Sequence, residues 1–257
     1  MKSKLKVLLA VLLACACLAY PITALAMSVH RIGAGMVTGP TTAGGNYNKN
    51  EKVMYLTFDD GPGPYTDRLL DILKKNDAKA TFFVTNGYPK YRSCIAREAR
   101  EGHAVGVHSY THDYKYIYAS QKNYWDDYKK MDDIILQEIG DRASLMRFPG
   151  GSSNTVSRHY SKGIMSRLAA DTKKKGIVYV DWNAMAGDAG EVKTADGVYN
   201  YIRKTTGKQK QVIVLCHDIK PYTVDAMDKV IKWAKSQGYS LRALTPGGFN
   251  VHQKIAN

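Results

Sequence analysis

The chain has 257 residues, 44% of them hydrophobic, and carries 37 Lys and Arg against 23 Asp and Glu, a formal net charge of +14. The length suits one domain with a substantial core, and the two cysteines left once the expected signal is removed do not make a disulfide framework. The basic residues are spread along the chain with no aromatic-basic binding motif, which argues against nucleic acid as a partner and for an anionic surface such as cell-wall polymer or phospholipid headgroups.

The first element is a secretory signal over residues 1–26. Lys2, Lys4 and Lys6 form a positive start, Val7 to Ala19 an apolar stretch too short to span a bilayer, and Ala24-Leu25-Ala26 a small-x-small cleavage pattern. Cleavage after Ala26 is expected, giving a secreted or wall-associated protein that begins at Met27; an uncleaved membrane anchor is the competing reading. Leu12-Leu13-Ala14-Cys15 faintly resembles a bacterial lipobox. Residues 27–51, with Gly39, Pro40, Gly44 and Gly45, read as an exposed linker, and 52–257 as a single folded domain. Cys15 and Cys17 leave with the signal, so Cys94 and Cys216 remain, read as buried thiols.

Seven strands are predicted over 53–58, 80–85, 104–107, 145–148, 177–180, 211–216 and 239–243. Helices are predicted between them over 66–76, with Thr66 as N-cap, and over 89–101, 120–139, 156–175, 194–206 and 223–237. In the 120–139 helix, Trp125, Tyr128, Met131 and Ile135 recur at helical spacing and read as core packing. Strands alternating with helices indicate a parallel α/β architecture, and a shortened barrel fits the length better than an eight-fold one.

The chemistry gathers where the strands stop. Val53 to Phe58 ends in Asp59-Asp60 and the turn Gly61-Pro62-Gly63-Pro64. Adjacent carboxylates there repel each other unless a cation, a metal ion or an arginine, lies beside them; a solvated turn is the plainer alternative. Val105 to Val107 ends in His108, with His112 four residues on. Two imidazoles and one carboxylate make an open three-ligand site for a divalent metal. Arg147 and His217 end two further apolar segments, and Asp188 lies a few positions beyond a third, Ile177 to Asn183. Successive strand ends carrying reactive side chains mark the active face of a parallel barrel.

Taken together, these residues resemble the polysaccharide deacetylase family, also called carbohydrate esterase family 4 or the NodB-homology domain. The resemblance covers roughly residues 52 to 245. Thr57-Phe58-Asp59-Asp60-Gly61-Pro62, His108-Ser109-Tyr110-Thr111-His112, Arg147-Phe148-Pro149-Gly150, the stretch from Trp182 to Asp188, and Leu215-Cys216-His217 match the family's five motifs in order. The resemblance implies a distorted (β/α)7 barrel and one divalent metal on Asp60, His108 and His112, zinc by default, with cobalt or manganese suited to the same ligands. It implies Asp59 as general base, paired with Arg147, which orients it and keeps it ionised. It implies His217, on the other side of the barrel mouth, as general acid held by Asp188. Gly150 would offer a backbone N–H to the oxyanion, and Leu215 would line the pocket for the acetyl methyl group.

Two positions depart from the family pattern. Ala189 stands where a Trp often follows the fourth-motif aspartate, and Gly150 stands where the third motif often has Tyr, which removes an aromatic wall from the groove. Tyr65, Tyr110, Tyr114, Tyr116 and Tyr118 are candidate sugar-stacking faces. The expected activity is removal of N-acetyl groups from amino sugars of a polysaccharide, peptidoglycan first, by a monomer. The alternatives are an inactive wall-binding protein on the same fold and an O-acetyl (xylan) esterase. A zinc peptidase would place Glu after the first histidine, where Ser109 stands.

Overall fold

The computed structural model describes Asn48 and residues 50–257. The expected signal, its cleavage point and nearly all of the expected linker lie outside the described residues. Strands β1 (Val53–Asp59), β2 (Ala80–Thr85) and β7 (Gln211–His217) are apolar runs buried along almost their whole length, as strands covered on both faces must be. With them run β3 (Ala104–Ser109) and the two-residue strands β4 (Leu145–Met146), β5 (Val178–Tyr179) and β6 (Ala184–Met185). All pairings are parallel, in the order β5-β4-β3-β2-β1-β7-β6. Seven strands thus form a curled half-barrel with helices around it, the distorted (β/α)7 architecture expected.

The expected seventh strand is not on that path. It is β8 (Ser240–Leu241), which pairs with Val53 and Met54 at the foot of β1, while β2 pairs with the upper half of β1. The seventh place belongs to β6, which the sequence pattern does not reveal. Two residues carry no periodicity; β6 is docked instead by the Asn183 side chain, whose Nδ2 donates to the Gln211 carbonyl and whose Oδ1 accepts from the Ile213 N–H.

The helices are α1 (Thr66–Lys75), α2 (Ser93–Arg100), α3 (Tyr114–Ile117), α4 (Gln121–Ile139), α5 (Ser157–Tyr160), α6 (Ile164–Lys175), α7 (Ala195–Thr206) and α8 (Pro221–Ser236). The expected 156–175 helix is broken after α5, because Gly163 takes a left-handed φ of 74°. Thr66 does not cap α1. Its hydroxyl accepts from the Gly63 N–H and donates to the Asp218 carboxylate, which ties the first motif's turn to the end of β7. Asn48 and Glu51 are tied to the fold by the Gln211 side chain, which donates to both carbonyls. Cys94 and Cys216 are free and buried.

One buried group works against this core. Glu98, on the inward face of α2, is fully buried, and neither carboxylate oxygen has a hydrogen-bond partner among the described residues. Burial first, then the charges of Asp218 and Asp67, raise its carboxyl well above the usual value. Such a group binds its proton more tightly folded than unfolded. Its contribution to stability is therefore present below the unfolded value and lost as pH rises through the folded one. Glu98→Gln is expected to gain in Tm on wild type as pH rises above the ordinary glutamate range. Parallel melting curves across that rise would show that Glu98 does not titrate this way.

Candidate active site

Because every strand runs the same way, the strand ends bring the sequence-predicted residues to one mouth. Asp59 closes β1, and His217 closes β7 as its register partner, so the two sit on neighbouring strands and not across the opening. His108 lies in β3, Arg147 directly follows β4, and Asp188 follows β6. Asp60 and His112 lie in the turns after β1 and β3.

Asp60, His108 and His112 converge, with one donor atom from each within 4.8 Å of the others. His108 Nε2 is 3.6 Å and His112 Nε2 3.4 Å from Asp60 Oδ1. Ligands at ~2.0–2.1 Å from a tetrahedral ion stand ~3.4 Å apart, so the cluster has the dimensions of a metal site. The other ring nitrogen of His108 is 2.8 Å from the Arg147 carbonyl, which orients Nε2 toward the cluster. Burial, only partly opposed by Asp60, pushes His108 down to about 3, which leaves the neutral imidazole a metal requires. Asp60 and His112 both hold positive φ, 74° and 53°. The surroundings over-determine these uncommon conformations, as is typical of functional sites.

Asp59 sits beside the cluster, with Oδ2 3.8 Å from His108 Nε2. Its Oδ1 accepts from Arg147 Nη1 at 2.9 Å. Arg147 is fully buried and crosses the barrel interior. Nη1 also donates to the Thr57 hydroxyl, Nε to the Val180 carbonyl and Nη2 to the Asp181 carbonyl, with the guanidinium between the Phe83 and Trp182 rings. Burial raises the Asp59 carboxyl above its usual range, opposed first by Arg147 and then by His217. The arginine therefore limits a rise and does not produce a low value.

His217 Nδ1 is 2.9 Å from Asp188 Oδ1, and its backbone N–H donates to Oδ2 at 2.8 Å. Burial pulls His217 down, but the Asp188 hydrogen bond and charge, with Asp59 and Asp60, outweigh it and take the ring up to about 9. Asp218, the neighbour in sequence, faces Thr66 and Gly61, and a Cβ at residue 61 would collide with its carboxylate. Leu215 is partly exposed two residues before His217, on the same side of β7. Gly150 turns with φ 77° beside the Tyr114 hydroxyl.

The family model for polysaccharide deacetylase matches residues 46–165. The peptidoglycan-N-acetylglucosamine deacetylase of Bacillus cereus is 36% identical over 209 residues, covering 79% of this chain and 73% of that protein. The chain belongs to the polysaccharide deacetylase family. The catalytic domain of the peptidoglycan N-acetylglucosamine deacetylase from Eubacterium rectale superposes with a TM-score of 0.80 at 43% identity, covering 82% of this chain and 96% of that one. A chitin deacetylase from Arthroderma benhamiae is 34% identical over 202 residues, 75% of this chain and 50% of that protein.

Within this deacetylase barrel the sequence pattern leaves three supporting side chains unannounced. Asp127 of α4 accepts from the Ser109 hydroxyl, the Tyr110 N–H, and the N–H and hydroxyl of Thr111, and so clamps the loop between the two histidines. Its signal was available: Tyr124, Asp127, Tyr128 and Met131 share the buried face, and an aspartate there needs partners. Asp181 holds the third motif's loop through the Ser152 N–H and hydroxyl. Thr223 donates to Asp188 Oδ2 at 2.8 Å. Of the candidate stacking tyrosines, Tyr118 is fully buried and its hydroxyl donates to the Pro149 carbonyl, so it offers no face to a sugar. Trp182 packs beside Gly151 and Arg147, while Ala189 is exposed.

Proposed function

We propose that the protein is an exported, metal-dependent hydrolase that removes N-acetyl groups from amino sugars of a polysaccharide, with peptidoglycan as substrate class. The observation that carries this reading is the meeting of three units at one barrel mouth: the Asp60, His108, His112 cluster, the Asp59–Arg147 pair and the His217–Asp188 pair. The peptidoglycan deacetylases among the relatives support the choice of substrate, and the basic net charge suits an anionic wall.

Asp60, His108 and His112 would hold one divalent ion, with zinc preferred for its two imidazoles and one carboxylate. When bound, such an ion supplies Lewis-acid polarisation of the acetyl carbonyl and acidifies the attacking water. Asp59 takes the water's proton on Oδ2, while Arg147 holds Oδ1 in place. His217 gives a proton from Nε2 to the amide nitrogen as the C–N bond breaks, and Asp188 keeps the proton on Nδ1. The Gly150 N–H donates to the oxygen that gains charge, and Leu215 packs on the acetyl methyl group.

The reading is tested by mass analysis of purified wall fragments incubated with the zinc-loaded mature protein. Loss of one acetyl from glucosamine residues is the expected result. Acetyl loss from esters alone would make the protein an O-acetyl esterase, and unchanged fragments with retained binding would make it a wall-binding protein. His108→Ala and His112→Ala should each cost most of the bound metal, because two remaining ligands hold zinc poorly. Stoichiometric metal in both variants, by elemental analysis, would place the site elsewhere. N-terminal sequencing of protein from the medium or wall fraction should begin near Met27; a lipid-modified Cys15 at the terminus would overturn that.

A further inference from the structure

The third motif lacks its aromatic side chain at Gly150, and the structure fills that space from a different loop. A Cβ on Gly150 would lie 2.7 Å from the Tyr114 hydroxyl oxygen and 3.4 Å from its Cε1. The phenol end of Tyr114 therefore occupies the volume that a side chain at 150 would need. Tyr114 opens α3, two residues after His112, so it reaches this place from the loop that follows β3.

Its ring is held on two sides. The His112 ring meets it edge-on with centroids 5.4 Å apart, and the Tyr118 ring does so at 5.6 Å. Tyr118 is fixed in turn by its hydrogen bond to the Pro149 carbonyl, 2.7 Å long, one residue before Gly150. The Tyr114 hydroxyl is thus set against the third motif's turn while hydrogen-bonding to none of the described residues. An N-acetyl amino sugar offers acceptors in its amide oxygen and hydroxyls. A phenol hydroxyl set against the third motif's turn, with no partner among the described residues, can donate to them.

We infer that Tyr114 is a substrate-contacting residue whose hydroxyl donates to the bound acetamido sugar, from the wall that an aromatic side chain at position 150 would otherwise form. This rests on the deacetylase reading above.

The test uses the zinc-loaded protein and a tetramer of N-acetylglucosamine. Tyr114→Phe keeps the ring contacts to His112 and Tyr118 and removes only the donor. We expect kcat/KM for acetate release, and tetramer affinity by calorimetry, each to fall about tenfold. Metal content should equal that of wild type. Values within about twofold of wild type would overturn the inference, as would loss of metal, which would make Tyr114 a support for His112. A double-mutant cycle gives a second reading. Gly150→Ala drives its Cβ into Tyr114, so its cost should shrink in a Tyr114→Ala background, whereas the backbone strain at φ 77° is common to both. Additive costs would overturn the proposal. A wild type that binds the tetramer without releasing acetate would sink the deacetylase reading and leave the Tyr114 contribution legible in affinity. A wild type that does neither would sink both.

Discussion

Asp59→Asn is expected to lower kcat by about 10²–10⁴-fold while leaving bound metal at the wild-type level. The two carboxylate oxygens of Asp59 have separate tasks. Oδ1 accepts from Arg147, and Oδ2 faces the histidine cluster, 3.8 Å from His108 Nε2. An asparagine keeps the shape and an acceptor for Arg147 but puts an amide nitrogen where the proton must be received. Asp60, His108 and His112 are untouched, so elemental analysis separates a lost base from a lost metal. The substitution also leaves the fully buried guanidinium of Arg147 without its counter-charge, so a lower Tm is expected as well. Rates must therefore be compared below the melting range of the variant. A variant that retains more than about a tenth of wild-type kcat would show that another group takes the proton.

Without a metal, burial raises the Asp59 carboxyl above its usual range, and a dication on Asp60, His108 and His112 would lower it again. The sequence pairing of Asp59 with Arg147 suggested an ionised carboxylate. It could not reveal that both partners are withdrawn from water, where desolvation outweighs the ion pair.

Much of the candidate site could be read without coordinates because Asp59, His108, Arg147 and His217 each stand at the end of an apolar segment. In a parallel barrel a strand end is also a position at the active mouth, so Asp59, His108, Arg147 and His217 were placed by local pattern alone. What escaped the pattern are relations in space between loops. Strand β6 is two residues long and is docked by the Asn183 side chain, which mimics a strand's hydrogen bonds. Asp127 clamps a loop from a helix 16 to 18 residues further on. Tyr114 and Gly150 share one volume from opposite sides of α4, so the loss of an aromatic residue at one and the presence of a phenol at the other look unrelated along the chain.

Asp188→Asn should move the basic limb of kcat/KM to lower pH and reduce the rate at neutrality. His217 must be protonated to give its proton to the leaving nitrogen, so the basic limb follows the ring's own titration. That titration is held at about 9 against the effect of burial, chiefly by the Asp188 hydrogen bond and charge. The variant loses the charge and also inverts a hydrogen bond. Asp188 Oδ2 accepts from the His217 N–H and the Thr223 hydroxyl, so an asparagine is best satisfied with its oxygen on that side. Its amide N–H groups then face His217 Nδ1, where they suit a lone pair and oppose the N–H of an imidazolium. Burial is left largely unopposed, and the neutral ring gains on both counts. The acidic limb should move much less, because Arg147, the strongest of the cationic groups acting on Asp59, is unchanged. The comparison needs one metal at fixed occupancy, with the two limbs fitted as properties of the coupled site. A variant whose basic limb coincides with that of wild type would show that Asp188 positions His217 without tuning its proton.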